Sequence, residues 1–270
     1  MRLSLVTYSN SCGQPCAVNG LPNIAVSVVS VIAGAPAAIA PSTVAPRYNA
    51  LRPAMTGFNV SWSLYAAPGE KIDSGAGLRL VVGAPAMTDT SLTAMFGNPF
   101  AAQGWLQLFE YVTSANRNYV AGGITLSLGA GIYTLTDTSP NQNLSLPVGL
   151  PELVTIDQMP LNTDGMMLAL APGAVDVSFI ADQQNNTSYE LTMYDIVVTG
   201  TSVTRTPVFD YVGPTTDFKV PAELFVTGHS YVIRAYCIAG GEPALATGDL
   251  VTRTLPMSVG YFDSAVFTVQ

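Results

Sequence analysis

Charge is scarce in this sequence. Aspartate, glutamate, lysine and arginine make up 10% of its 270 residues, against about 25% in ordinary soluble domains. The polar surface must come from Ser, Thr, Asn and Gln, which suits secreted proteins, capsid proteins and assembly subunits better than cytosolic enzymes. Lysine is reduced to Lys71 and Lys219, the arginines are scattered, and the net charge is −8. Nucleic-acid binding needs clustered positive charge to displace counterions from phosphate, so no nucleic-acid partner is expected. Histidine occurs once, at His229 beside Gly228. Catalytic triads and most transition-metal sites lean on histidine. A polar turn residue is the plain reading of His229, and no catalytic residue is expected.

Cysteine is nearly absent too. Cys12 and Cys16 could close a small disulfide loop in an oxidising compartment, or remain free thiols on an N-terminal arm; no second pair and no nearby histidine completes a metal site. Cys237 lies among apolar residues of a predicted strand and is expected to be a buried, inert thiol. Long apolar runs are also missing. Ile24–Ala35 has the look of a signal-peptide core, but its only upstream positive charge is Arg2. Ser27, Ser30, Gly34 and Pro36 interrupt it, and a membrane-spanning helix needs about twenty apolar residues. The expectation is a strand followed by an irregular Ala/Pro connector, Ala35–Ala54, with no membrane span and no export signal in this chain.

What is present is a β pattern. The 24 glycines and 19 prolines break the chain too often for long amphipathic helices. Between the breaks lie short β-branched and aromatic runs. In front these are Leu3–Tyr8, Ala25–Ile32, Phe58–Tyr65, Leu78–Val82, Trp105–Val112, Ile124–Leu128 and Ile132–Leu135. Phe58, Val60, Trp62 and Leu64 alternate onto one face, as a half-buried strand requires. Three prolines within Pro140–Pro151 mark a join. Behind it come Leu153–Ile156, Met166–Leu170, Val175–Ile180, Tyr189–Val198, Thr201–Phe209, Asp217–Val220, Ser230–Ile238 and Phe262–Val269, with Gln183–Ser188 as a polar turn. The expected fold is all-β, with two tandem antiparallel β-sandwich modules over 1–145 and 146–270, the first carrying an uncharged N-terminal arm.

In the rear module, Leu224–Ala235 (LFVTGHSYVIRA) sets a leucine, a turn and a tyrosine ahead of an alternating strand. This segment resembles the E–F corner of fibronectin type III domains. The resemblance implies that Tyr231 buries its ring and bonds its hydroxyl to nearby backbone. Tyr189–Tyr194 is similar to the family's third strand and Ser264–Val269 to its last, while the second-strand tryptophan is missing. The likeness covers Asp164 to Gln270 and implies a spacer or binding module without catalytic residues. In front, Leu126–Leu135 (LSLGAGIYTL) repeats the leucine–glycine–tyrosine order and looks like the closing hairpin of small bacterial β-sandwich domains. Tyr133 would then be a second corner, and the modules would share one build. The lysine-poor composition resembles that of fibronectin-like surface proteins of high-GC bacteria.

Candidate chemistry is sparse. Trp105, Gln107, Phe109 and Tyr111 share one strand face and could offer flat rings to a polysaccharide, or could fill the core. Glu110 sits on the opposite face among Leu106, Leu108 and Val112, where burial would raise a carboxyl pKa; a strand end reaching solvent is the alternative. The other carboxylates are dispersed and form no compact hydrolase pair. Asp157, Asn162 and Asp164 are weak calcium candidates in a loose acidic loop. Gly75-Ala76-Gly77 and Gly129-Ala130-Gly131 lack the rest of a dinucleotide fingerprint. No cofactor is expected. The sequence points to a non-catalytic extracellular or cell-surface structural or adhesion protein, acting through a protein partner or through self-assembly. A carbohydrate-binding module and a virion or filament subunit are the alternatives.

Overall fold

The computed structural model describes residues 27–32, 41–52, 55–67, 78–89, 91–96, 104–137, 142–144, 149–181, 188–240 and 255–270. Leu3–Tyr8, Cys12, Cys16, Gly75-Ala76-Gly77 and most of the Gln183–Ser188 turn lie outside these residues. Among the described residues the chain is an all-β sandwich with one short α-helix and a single 3-10 turn at Ala222–Leu224. In front it forms β1 (Ser27–Ile32), α1 (Pro41–Leu51), β2 (Thr56–Ala67), β3 (Leu78–Gly83), β4 (Ser91–Phe96), β5 (Leu106–Ala121), β6 (Ile124–Asp137) and β7 (Gln142–Leu144). Behind follow β8 (Pro151–Ile156), β9 (Met159–Pro160), β10 (Met166–Leu168), β11 (Ala174–Ala181), β12 (Ser188–Thr199), β13 (Ser202–Gly213), β14 (Asp217–Pro221), β15 (Ser230–Gly240), β16 (Met257–Asp263) and β17 (Phe267–Val269).

Turn chemistry explains the two long hairpins. Gly122 and Gly123, with φ of +57° and +81°, form the two-residue loop between β5 and β6. Both central residues of a type I′ turn need positive φ, which glycine adopts without strain. Gly200, at φ +58°, opens the similar loop between β12 and β13.

Among the described residues, β3-β2-β5-β6-β16-β15-β12-β13 follow one another across a single sheet, with β17 and β10 continuing beside β15. A second sheet orders β14-β11-β8-β9 and a third β4-β1-β7. The halves repeat one pairing scheme. β2 pairs with β3 and β5, as β12 pairs with β13 and β15; β5 pairs with β6 as β15 with β16; β1 pairs with β4 as β11 with β14. By that scheme β5, not β6, is the counterpart of β15.

The expected 145/146 boundary does not interrupt the sheet. β6 and β16 pair antiparallel from Met257↔Leu135 to Phe262↔Ala130. Thr134 Oγ1 and Ser258 Oγ, both buried, lie 2.7 Å apart across this seam. The core is continuous as well. One cluster joins Val60, Leu64, Phe109, Tyr111 and Ile132 to Leu150, Val154, Ile156, Leu191, Met193, Ile233 and Phe267. Fully burying each such aliphatic or aromatic side chain stabilises by about 1.5–3 kcal/mol. A smaller cluster packs Leu126 and Leu128 of β6 against Ile196, Val232 and Val266 of the rear half.

Two local expectations are corrected. The Ala35–Ala54 connector contains α1, even though Pro46 lies inside the helix. Val44 and Tyr48, one turn apart, are buried, and the Tyr48 hydroxyl lies 2.9 Å from Thr113 Oγ1 on β5. Tertiary contact outweighs weak propensity here. Ile124–Leu128 and Ile132–Leu135 are one strand, not two, so Gly129-Ala130-Gly131 does not turn. The Tyr261 ring of β16 covers Gly131, where a Cβ would stand 2.6 Å from its Cε1. Glycine is required for that close approach.

Candidate functional site at the seam

In a chain so poor in charge, ion pairs gather where the halves meet. Asp263 ends β16 with its side chain fully buried. Its Oδ1 accepts from Arg234 Nε at 2.6 Å; its Oδ2 accepts from Arg234 Nη2 at 2.9 Å, Arg205 Nη1 at 3.0 Å and the Gly129 N–H at 2.7 Å. The last of these bonds ties the rear half to β6. Arg234 also stacks 4.7 Å above the Tyr261 ring. Burial pulls the Arg234 guanidinium down, but the hydrogen bonds and charge of Asp263 outweigh it and hold Arg234 above its ordinary value. A buried carboxylate is tolerated when opposite charge and hydrogen bonds surround it.

A second node lies at Asp164. Its Oδ2 accepts from Arg117 Nη1 of β5 at 2.5 Å and faces Arg52 Nη2, just past α1, at 3.4 Å; its Oδ1 accepts the Val266 N–H at 2.8 Å. Arg117 Nη2 donates to the Ser264 carbonyl at 2.8 Å. Burial lowers Arg117, against the pull of Asp164. Burial and the neighbouring Arg117 charge bring Arg52 down to about 10, with Asp164 opposing. Beside this node a cleft of about 530 Å³ opens between α1, β8 and the Leu161–Asn162 segment.

The residues singled out in the sequence fall elsewhere. Phe109 and Tyr111 are fully buried, Gln107 is buried, and Trp105 packs against the same core. The aromatic face therefore fills the sandwich and offers no flat platform. Glu110 is half-buried on the other face, opposite Ser63 and Leu135. The calcium candidates serve other partners. Asp164 is held by arginines, and Asp157 Oδ1 accepts the Asp176 N–H at 2.9 Å. Asn162 Oδ1 accepts from the Thr163 hydroxyl at 3.1 Å. Among the described residues no group of three His, Cys, Asp or Glu could hold a metal ion.

Tyr231 is buried; its hydroxyl accepts the Val226 N–H at 2.7 Å and donates to the Leu224 carbonyl at 3.2 Å. Tyr133 differs: it lies within β6, paired with Val112 and Val259, and packs beside Leu108 and Leu135 rather than at a corner. His229 Nδ1 lies 3.0 Å from Asp195 Oδ2, and Cys237 is fully buried. Arg117, Arg205, Arg234 and Asp263 escaped the sequence reading. Their signal was there: charged residues inside apolar strands of a chain that has few charges. No protein-family model matches the chain, and no curated protein matches it.

Proposed function

We propose that this chain is a non-catalytic structural or adhesion module of an extracellular or surface assembly, working through protein contacts. The observation that carries the proposal is the seam. Strand pairing between β6 and β16, with Asp263 bonded to both halves, supports reading the two halves as one stiff body. A stiff body suits a spacer, which must hold its partners at a fixed separation. The fibronectin type III likeness of the rear half gains support from its strand order. A sheet ordered β14-β11-β8 faces one ordered β13-β12-β15-β16, and Tyr231 fixes the chain before β15. Domains of that family use this arrangement as spacers and binding modules.

The test is sedimentation velocity from micromolar to near-millimolar concentration, with glycan-array binding read on the same preparation. Self-association or capture of a protein partner without glycan binding is the expected result. Saturable glycan binding by a monomer would favour the polysaccharide reading, and turnover of a glycan would overturn the non-catalytic one.

A further inference from the structure

We propose that the cleft beside α1 binds a small organic carboxylate carried on an apolar body. This goes beyond the spacer role and does not depend on it. The first observation is an unfilled donor. The Arg52 side chain is 10% exposed, and its Nη1 is buried with no hydrogen-bond partner. A buried guanidinium N–H is rarely left unpaired. Arg52 also lines the cleft, so an anion entering there meets a guanidinium that lacks a full set of acceptors.

The second observation is a charge imbalance. Arg52 and Arg117 share one carboxylate, Asp164, whose other oxygen is taken by the Val266 N–H. Arg47 and Glu152 stand on the cleft wall and balance one another in sign, each with interactions of its own. One positive charge is left over in a partly desolvated setting. A monoanion neutralises it, whereas a phosphate dianion would leave an excess of negative charge. A carboxylate also matches the fork of a guanidinium.

The third observation concerns the rim. The β8–β11 register shifts between Ser178 and Ile180, and opposite this irregularity Leu153 takes φ +45°. A β-branched or bulky residue rarely adopts positive φ. Strain and bulges of this kind collect at ligand sites, where they re-aim a side chain. Here Leu153 is 48% exposed beside half-buried Glu152, before Val154 returns to the core. Leu51, Leu153, Leu161 and Phe262 give the cleft its apolar walls, and its size falls within the range of small-molecule sites, about 300–1,000 Å³.

The experiment titrates the full chain with benzoate, benzamide and inorganic phosphate, followed by calorimetry and amide chemical shifts. Benzoate is expected to saturate in the millimolar range or below, moving amides of residues 47–52, 152–154 and 161–162. Benzamide and phosphate should bind about tenfold more weakly or worse. Arg52→Gln should weaken benzoate about tenfold or more. Because that change also touches Asp164, Leu153→Gly serves as a second variant. Glycine tolerates the positive φ, so this protein folds, and it should lose benzoate affinity through the missing wall alone. The proposal is overturned by no saturable benzoate response up to tens of millimolar. Equal binding of benzamide or phosphate overturns it as well, as does unchanged affinity in both variants. Self-association that Arg52→Gln abolishes would give the cleft to a neighbouring chain and overturn it too; association of the spacer kind survives that substitution.

Discussion

Replacing Asp263 by asparagine keeps the size of the side chain and removes its charge. The carboxylate now accepts four hydrogen bonds, from Arg234, Arg205 and the Gly129 N–H, with no solvent exposure. Asparagine offers one acceptor oxygen. If that oxygen keeps the three donors at Oδ2, its NH₂ group faces Arg234 Nε, donor against donor. Two guanidiniums also lose their counter-charge. Breaking a buried pair in this way costs about 3–5 kcal/mol, a large part of the 5–15 kcal/mol typical of a whole domain. Urea unfolding supplies the assay, with two probes. Trp62 and Trp105, the two tryptophans, lie in the front half, so fluorescence reports that half. Far-UV circular dichroism reports both. A coupled pair of halves predicts that Asp263→Asn lowers both midpoints together, although the substitution is in the rear. An unmoved fluorescence midpoint, with circular dichroism split into two steps, would refute the coupling.

Tyr231→Phe keeps the ring packing but removes the partner of the Val226 N–H and the Leu224 carbonyl; a loss of about 1–3 kcal/mol is expected in urea unfolding. Gly131→Ala drives a methyl group into the Tyr261 ring and should cost about 1–3 kcal/mol by overpacking. Gly165→Ala has open space around it and should lose only the cost of its positive φ, about 1–2 kcal/mol; substituting Tyr261→Leu should relieve Gly131→Ala but not Gly165→Ala, which checks the tyrosine-over-glycine packing. Burial raises Tyr48, Tyr111, Tyr231, Tyr236 and Tyr261 above the ordinary tyrosine value. The fold therefore favours their protonated forms. That stability is intact below a pH of about 10 and declines as pH rises above it. Arg52, brought down to about 10, and Arg117, also lowered by burial, work the other way. A tyrosinate absorbance titration should show these rings ionising together with unfolding, not ahead of it.

The strands were largely legible because alternation and turn residues are local. Phe58–Tyr65 and Ser230–Ile238 each fall within one strand. Partner choice was not legible: nothing near Met257 says that it pairs with Leu135. Alternation also separates two faces without naming the inner one, so the Trp105, Gln107, Phe109 and Tyr111 row could be read as a platform when it fills the core. Glycine misled for a related reason. Gly129 and Gly131 look like a turn, yet the missing side chain of Gly131 makes room for a tyrosine supplied more than a hundred residues later. Prolines hid α1, whose helical spacing of Val44 and Tyr48 matters only once β5 stands against it. The acidic loop drew attention to Asp164, but its arginine partners come from positions 52 and 117, which no local pattern connects.

Native-state hydrogen exchange across the seam tests most directly whether the two halves are one body. Amides of residues 130–135 and 257–262 lie on the paired strands β6 and β16. If the sheet is continuous and cooperative, these amides exchange only through global opening, with the same protection as β15. Rapid exchange at 130–135 and 257–262 while the centre of β15 stays protected would mean that the halves open independently, and the seam would not be the structural element described above.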